Sequence, residues 1–377
     1  MTTKKNSYYG SFDDEVNPEI MRKITIPKPS DVMDVLNREV VGQERAKKIL
    51  SVAICNHFKR VVAGMGDKDD EFSDVTIEKS NVLILGDSGT GKTHMIKTIA
   101  KELNLPCYIA DATKLTESGY VGDDVETILT GLLIEADYDL NRAQMGIVCI
   151  DEIDKLSKKG ASVSITRDVS GEGVQQGLLK IVEGSVVGVP PFGGRKHPEQ
   201  RLIYVDTSNI LFIGMGAFDG IENIISSRLN VKTIGFNTSS SEESDDGRSI
   251  ISHVNHDDLI QYGLIPELSG RFPVIANTEA LTVGDLERIL TEPKNSLVKQ
   301  YKKLMNVDGV KLVMTDDAIH AIASHAASQK TGARSLRRIM EEILMDVMFN
   351  PSCANGKEFV VDGEMVRKTV GNIGKVA

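Results

Sequence analysis

Apolar residues in this chain come in short, dense runs set between amphipathic stretches. The runs at 81–85, 106–110, 147–150 and 209–214 have strand length. Between them, segments such as 44–57 and 94–103 repeat their apolar positions with helical spacing. Strands alternating with helices predict an α/β domain built on a mainly parallel sheet covered on both faces. The run Ile147, Val148, Cys149, Ile150 is wholly apolar, as a central strand should be. After 272–276 the alternation gives way to helices over roughly 284–305, 316–329 and 334–348, with strands at 311–314 and 358–361. This predicts a small, mostly helical α+β domain. The expected division is a polar leader over 1–30, a large domain over 31–277 and the small domain over 278–377. Ser30 is positioned to cap the first helix, and the polar stretches 64–76 and 237–248 read as loops.

Composition narrows the class. The 377 residues are 41% hydrophobic and 26% charged, ordinary for a globular protein, and no run of apolar residues reaches membrane-spanning length. The N-terminus carries two lysines but no apolar stretch behind them, so it is not an export signal and a cytoplasmic location is expected. A formal net charge of −10 argues against a nonspecific nucleic-acid binder. Cys55, Cys107, Cys149 and Cys353 are widely spaced and form no Cys-x-x-Cys pair, so neither a zinc knuckle nor a disulfide framework is expected. Cys149 reads as a small core residue.

The chemistry begins at Gly86-Asp87-Ser88-Gly89-Thr90-Gly91-Lys92-Thr93, which follows one predicted strand and opens a helix. That context is what a phosphate-binding loop requires. Glycines allow backbone N–H groups to turn inward around phosphates, and the helix N-terminus adds positive potential. Lys92 would reach the β- and γ-phosphates and the Thr93 hydroxyl would coordinate Mg²⁺, so ATP and Mg²⁺ are the expected cofactors. A second feature is Asp151-Glu152, at the C-terminal end of the apolar run 147–150. Ligands bind at that end of parallel strands. Asp151 is placed to hold Mg²⁺ through water, and Glu152 to orient and deprotonate the attacking water. Arg271 sits just before the domain boundary and Arg334 opens a helix of the small domain. By residue type alone, either is an ordinary surface arginine.

Five further strings are more specific: Val41-Gly42-Gln43, the stretch 115–126, the stretch 165–179, Gly193-Gly194-Arg195-Lys196-His197-Pro198, and Thr331-Gly332-Ala333-Arg334. In this order the chain resembles the AAA+ P-loop ATPases, and among them the unfoldase subunits of the bacterial Clp proteases, from about residue 27 into the small domain. The resemblance implies a homohexameric ring that hydrolyses ATP to unfold tagged or unstructured proteins. They would be threaded through an axial pore into a ClpP-type peptidase, the chain not itself being a peptidase. It implies that Tyr120 and Val121, between Gly119 and Gly122, grip substrate in the pore. An aromatic ring between glycines can press on any polypeptide. Arg167 belongs to the second pore loop by the same likeness, and Arg195, Lys196 and His197 to the pore entrance, where six copies would favour a C-terminal carboxylate or a small polar tag. Arg271 becomes the finger reaching the neighbouring subunit's ATP, Arg334 the sensor arginine, and Val41 part of the adenine pocket. Ile234-Gly235-Phe236, an apolar tripeptide before a polar stretch, becomes the peptidase-docking loop.

The chain departs from that family in two places. Its relatives commonly begin with a four-cysteine zinc domain, whereas the leader here has no cysteine, so no zinc is expected. Where the family commonly has Cys-Gly-Gly, this chain has Gly214-Met215-Gly216, with a modest effect on rate expected from Met215. Two other functions stay open: a remodelling chaperone without a peptidase, and a nucleic-acid-directed AAA+ motor. The motor would call for basic tracking surfaces rather than an aromatic glycine-flanked loop.

Overall fold

The structure, a computed structural model, describes residues 26–64, 71–72, 74–116, 123–157, 171–191, 202–233, 250–329, 331–351 and 358–373. They fall into two compact units. Of the described residues, one takes those up to Val32, Arg45–Leu85 and Ile99–Asn277; the other takes Met33–Glu44, Gly86–Thr98 and those from Thr278 onward.

The first unit holds strands β1 (Val82–Leu85), β2 (Cys107–Asp111), β3 (Leu115–Thr116), β4 (Asp123–Asp124), β5 (Ile147–Asp151), β6 (Val186–Val189), β7 (Ile203–Asp206), β8 (Leu211–Gly216) and β9 (Val274–Asn277). Five of them form a parallel sheet in the order β2-β5-β8-β1-β9. β1 and β8 are buried along their whole length, so their side chains are apolar on both faces. Leu83, Val148, Ile150 and Phe212 join Leu129, Leu132, Leu178 and Phe272 in one core. Cys149 is fully buried, and burial pushes its thiol well above the ordinary range, as suits an inert core residue.

Asn81 shows how the sheet is tied together. Its side-chain amide donates to the Arg271 carbonyl (2.8 Å) and its carbonyl accepts from the Phe212 N–H (3.1 Å). His57, on helix Glu44–Ala63, is 5% exposed and bonded to the Met145 backbone. Burial holds its pKa down to about 3, keeping the ring neutral.

The second unit carries the parallel pair β10 (Lys311–Met314) and β11 (Glu358–Val361) beside helices Val283–Thr291, Leu297–Val307, Asp316–Ser328, Arg334–Phe349 and Gly363–Ile373. Its core gathers Leu286, Tyr301, Ile322, Leu336, Met340, Leu344 and Val361. Thr282 and Asp285 close a reciprocal capping box on helix Val283–Thr291.

Several elements differ from the sequence pattern. The helix expected over 284–305 is two helices, because Pro293 lacks the N–H needed to continue the first. The first helix begins at Pro29, which suits the first helical position, so Ser30 lies inside the turn instead of capping it. The run at 209–214 forms its strand two residues later, which places Met215 within β8 at 0% exposure. Among the described residues no helix is long and apolar enough to cross a membrane.

Candidate nucleotide site

In the second unit the chain passes from Gly86 through a turn into helix Lys92–Glu102. Gly86, Gly89 and Gly91 adopt φ of +138°, +81° and +98°, values that side chains other than glycine's strongly disfavour. The turn is braced on its outer side. Thr90 Oγ1 donates to the Asp87 carbonyl (2.8 Å) and shares a hydrogen bond with Thr278 Oγ1 (2.8 Å). A Cβ at Gly86 would collide with the Thr278 side chain. Lys92 is 8% exposed, and its ammonium donates to the carbonyls of Gly86 and, at 2.8 Å, Asp87. The Met95 N–H bonds back to Gly91 (2.9 Å), so the loop's earlier amides precede the helical ladder. Thr93, half-buried, follows Lys92 in the first turn.

Two other segments of this unit close on the loop. The Ala333 N–H donates to the Gly89 carbonyl (3.2 Å), and a Cβ at Gly332 would stand 2.8 Å from the Ser88 carbonyl. Helix Arg334–Phe349 therefore begins against the phosphate loop, with the Arg334 side chain exposed at its first residue. On the other side, Val40 and Val41 are buried at 6% and 7% exposure, and a Cβ on Gly91 would touch Val40. Gln43 holds that segment through a paired contact, its amide N–H donating to the Glu279 carbonyl (2.8 Å) and its oxygen accepting the Glu279 N–H (2.7 Å). A glycine turn, a buried lysine and a hydroxyl on the first helical turn form a donor set that fits an Mg²⁺-bound polyphosphate.

In the first unit Asp151 ends β5, and Glu152 follows as an exposed residue with φ +56° and ψ +35°. A left-handed conformation costs a non-glycine residue about 1 kcal/mol, and such strain tends to collect at functional positions. The surroundings hold it: the Glu152 N–H donates to Asp151 Oδ1 (3.0 Å) and its carbonyl accepts from the Lys155 N–H (2.9 Å). β8 lies between β5 and β1, and all three run parallel. The acid pair thus leaves the same edge of the sheet from which β1 runs into Gly86. Arg271 ends helix Pro266–Gly270; its Nε and Nη2 donate to Glu183 Oε1 at 3.0 and 2.6 Å. Both partners are partly exposed, at 53% and 38%. Such a pair is worth little in water, which leaves the guanidinium easy to draw to another anion.

Val41, Gly86 to Thr93 and Arg334 therefore lie in one unit, and Asp151, Glu152 and Arg271 in the other. Tyr120, Val121, Arg167, Arg195, Lys196, His197, Ile234, Gly235 and Phe236 lie outside the described residues. Thr278, Glu183 and the pairing of Gln43 with Glu279 are not visible in the sequence. Each acts through a partner hundreds or scores of positions away, which no local spacing reveals. Among the described residues no group of three or more His, Cys, Asp or Glu is gathered to hold a metal ion.

Residues 77–275 match the family described as AAA domain (Cdc48 subfamily), and residues 281–357 match the C-terminal D2-small domain of ClpB protein. Among curated relatives, the ATP-dependent Clp protease ATP-binding subunit ClpX of Bacteroides fragilis is 52% identical over 336 residues, covering 89% of this chain and 80% of its own. The Porphyromonas gingivalis protein of the same description is 48% identical over 342 residues, covering 91% and 82%. That of Treponema denticola is 49% identical over 362 residues, covering 96% and 86%.

Proposed function

The chain belongs to the ClpX family of Clp protease ATP-binding subunits, and from that premise we propose that six copies form a ring feeding proteins to a ClpP-type peptidase. It is an ATP-hydrolysing AAA+ enzyme, dependent on ATP and Mg²⁺, that unfolds and translocates proteins. The observation that carries the reading is likeness at about half of all positions, over most of both chains and across both domains. The proposed domain division is 31–277 and 278–377, supported by the two family matches. The proposed compartment is the cytoplasm.

In the reaction, bound Mg²⁺ supplies charge neutralisation at the β- and γ-phosphates. Thr93 and Asp151 would hold it, the latter through water. Lys92 would exchange its carbonyl partners for phosphate oxygens, and the amides of 86–93 would orient the polyphosphate. Glu152 would take a proton from the attacking water. Arg334 would approach the phosphates from the small domain, while Arg271 would leave Glu183 for a neighbour's nucleotide and neutralise charge on the transferring group. Val41 would flank the adenine. Tyr120, Val121, Arg167, Arg195, Lys196 and His197 would handle substrate, and Ile234-Gly235-Phe236 would dock the peptidase; these roles rest on sequence likeness.

The test follows a stable fluorescent protein with a C-terminal tag under ATP and Mg²⁺, with and without a ClpP-type peptidase. Fluorescence should fall only with ATP, and peptides should appear only with peptidase. Unfolding without peptide release would favour a remodelling chaperone, and unchanged fluorescence would remove the motor reading.

A further inference from the structure

Asp154 is the most deeply buried carboxylate near the acid pair. It lies in the short 3-10 turn Ile153–Leu156 directly after Glu152, with its side chain 1% exposed. Among the described residues neither oxygen accepts a well-aligned hydrogen bond. Its charged neighbour is the half-exposed Lys155 ammonium, 3.1 Å from Oδ2, which also stands 3.8 Å from Asp219. Burying a carboxylate with so little compensation costs a few kcal/mol. The Phe218 ring, 0% exposed, stands beside it at Gly216, and its sequence neighbours Ile153 and Leu156 are at most 2% exposed.

The carboxylate has one further contact. A Cβ built on Gly216 would lie 2.5 Å from Asp154 Oδ1 and 2.7 Å from a ring carbon of Phe218. The carboxylate thus occupies the space a side chain at 216 would take, and it rests on the last residue of β8. Gly216 is the register partner of Leu85, the residue before the phosphate loop. The contact therefore runs from the turn carrying Glu152 to the end of the strand separating β5 from β1.

We propose that Asp154 is a positioning residue for ATP hydrolysis: its carboxylate, lodged over Gly216, fixes the strained Glu152 turn against the carboxyl end of β8. The inference rests on reading Glu152 as the base. Lys155 offsets the charge without covering it, and Asp154 raises the Lys155 pKa through their contact, so the ammonium stays charged. A small displacement of Glu152 would then cost rate rather than affinity, since the base acts only in the transition state.

The test uses the full chain with ATP and Mg²⁺. Asp154→Asn removes the charge at nearly constant volume. It should lower kcat about tenfold or more while KM and the Kd of a fluorescent ATP analogue stay within about twofold. The melting temperature should hold or rise, because a poorly compensated buried charge has gone. A kcat within about threefold of the parent overturns the proposal, as does a kcat loss accompanied by a melting drop above ~5 °C. Gly216→Ala gives an independent reading by pressing on Oδ1. It should lower kcat in the parent and cost less in an Asp154→Ala background, where the Phe218 ring alone still opposes the added Cβ, whereas fully additive losses refute the contact. Glu152→Gln, measured alongside, separates the two claims. If it keeps its turnover, the base assignment falls; if it loses turnover while Asp154→Asn does not, Asp154 alone falls.

Discussion

Gly332→Ala is the sharpest probe of the packing around the phosphate loop. Gly332 has φ +59°, and an alanine Cβ there would stand 2.8 Å from the Ser88 carbonyl oxygen and 2.9 Å from Gly89 backbone atoms. Two costs follow. The left-handed conformation penalises alanine by about 1 kcal/mol. Because the obstacle is backbone, the segments must also separate, which breaks the 3.2 Å bond from the Ala333 N–H to Gly89 and loses about 1 kcal/mol more. If nucleotide binds the loop in this shape, the sum of about 2 kcal/mol appears as roughly 30-fold weaker binding. Gly309→Ala isolates the conformational part, since Gly309 has φ +74° and nothing within 4 Å of an added Cβ. It should lower the melting temperature slightly and leave nucleotide affinity unchanged. Titration of a fluorescent ATP analogue with Mg²⁺ reads both variants. Affinity within about threefold of the parent for Gly332→Ala would refute the argument, as would equal weakening by the two substitutions.

Glu152→Gln should bind ATP within about twofold of the parent and lose at least ~100-fold of its turnover in a steady-state ATPase assay; hydrolysis near the parent rate would rule out the base. His57 has a folded pKa of about 3 against an ordinary 6.5, so the unfolded chain takes up its proton first as pH falls. Stability supported by the neutral ring is full above about pH 6.5 and declines toward pH 3, by up to about 1.4 kcal/mol per pH unit. His57→Gln should flatten the fall in melting temperature across that window, and an unchanged slope would exclude His57 as its source. Phe236→Ala should keep ATPase activity and unfolding but abolish peptidase-dependent degradation of a tagged protein; full degradation would remove the docking role.

The sheet was legible because its strands are buried on both faces and so read as dense apolar runs: 147–150 and 81–85 were found nearly to the residue. β9 was not, since Pro273 precedes it and the helices that follow set the local pattern. The antiparallel pair β6 and β7 was missed as well: each is four residues long, Gly188 interrupts the first, Asp206 ends the second, and Val186 and Tyr204 are exposed. The phosphate loop was visible because its chemistry is local and contiguous. What braces it was hidden: Thr278 lies 188 positions from Thr90, and a threonine after a strand carries no signature. The left-handed turn at Glu152 was equally silent, since glutamate gives no composition cue for positive φ.

The division of the chain into units has a practical consequence for anyone cutting the gene. A fragment starting at Thr278 would carry the small-domain helices yet lack 33–44 and 86–98, which belong to the same compact unit. The Glu279 backbone would lose both bonds to Gln43, the Lys294 N–H would lose the Arg38 carbonyl (3.2 Å), and the Ala333 N–H would lose Gly89. Such a piece should be poorly soluble on its own. A permuted or split version that keeps those two segments with the C-terminal part is the form to build, because each compact unit is assembled from segments that are not contiguous in the gene.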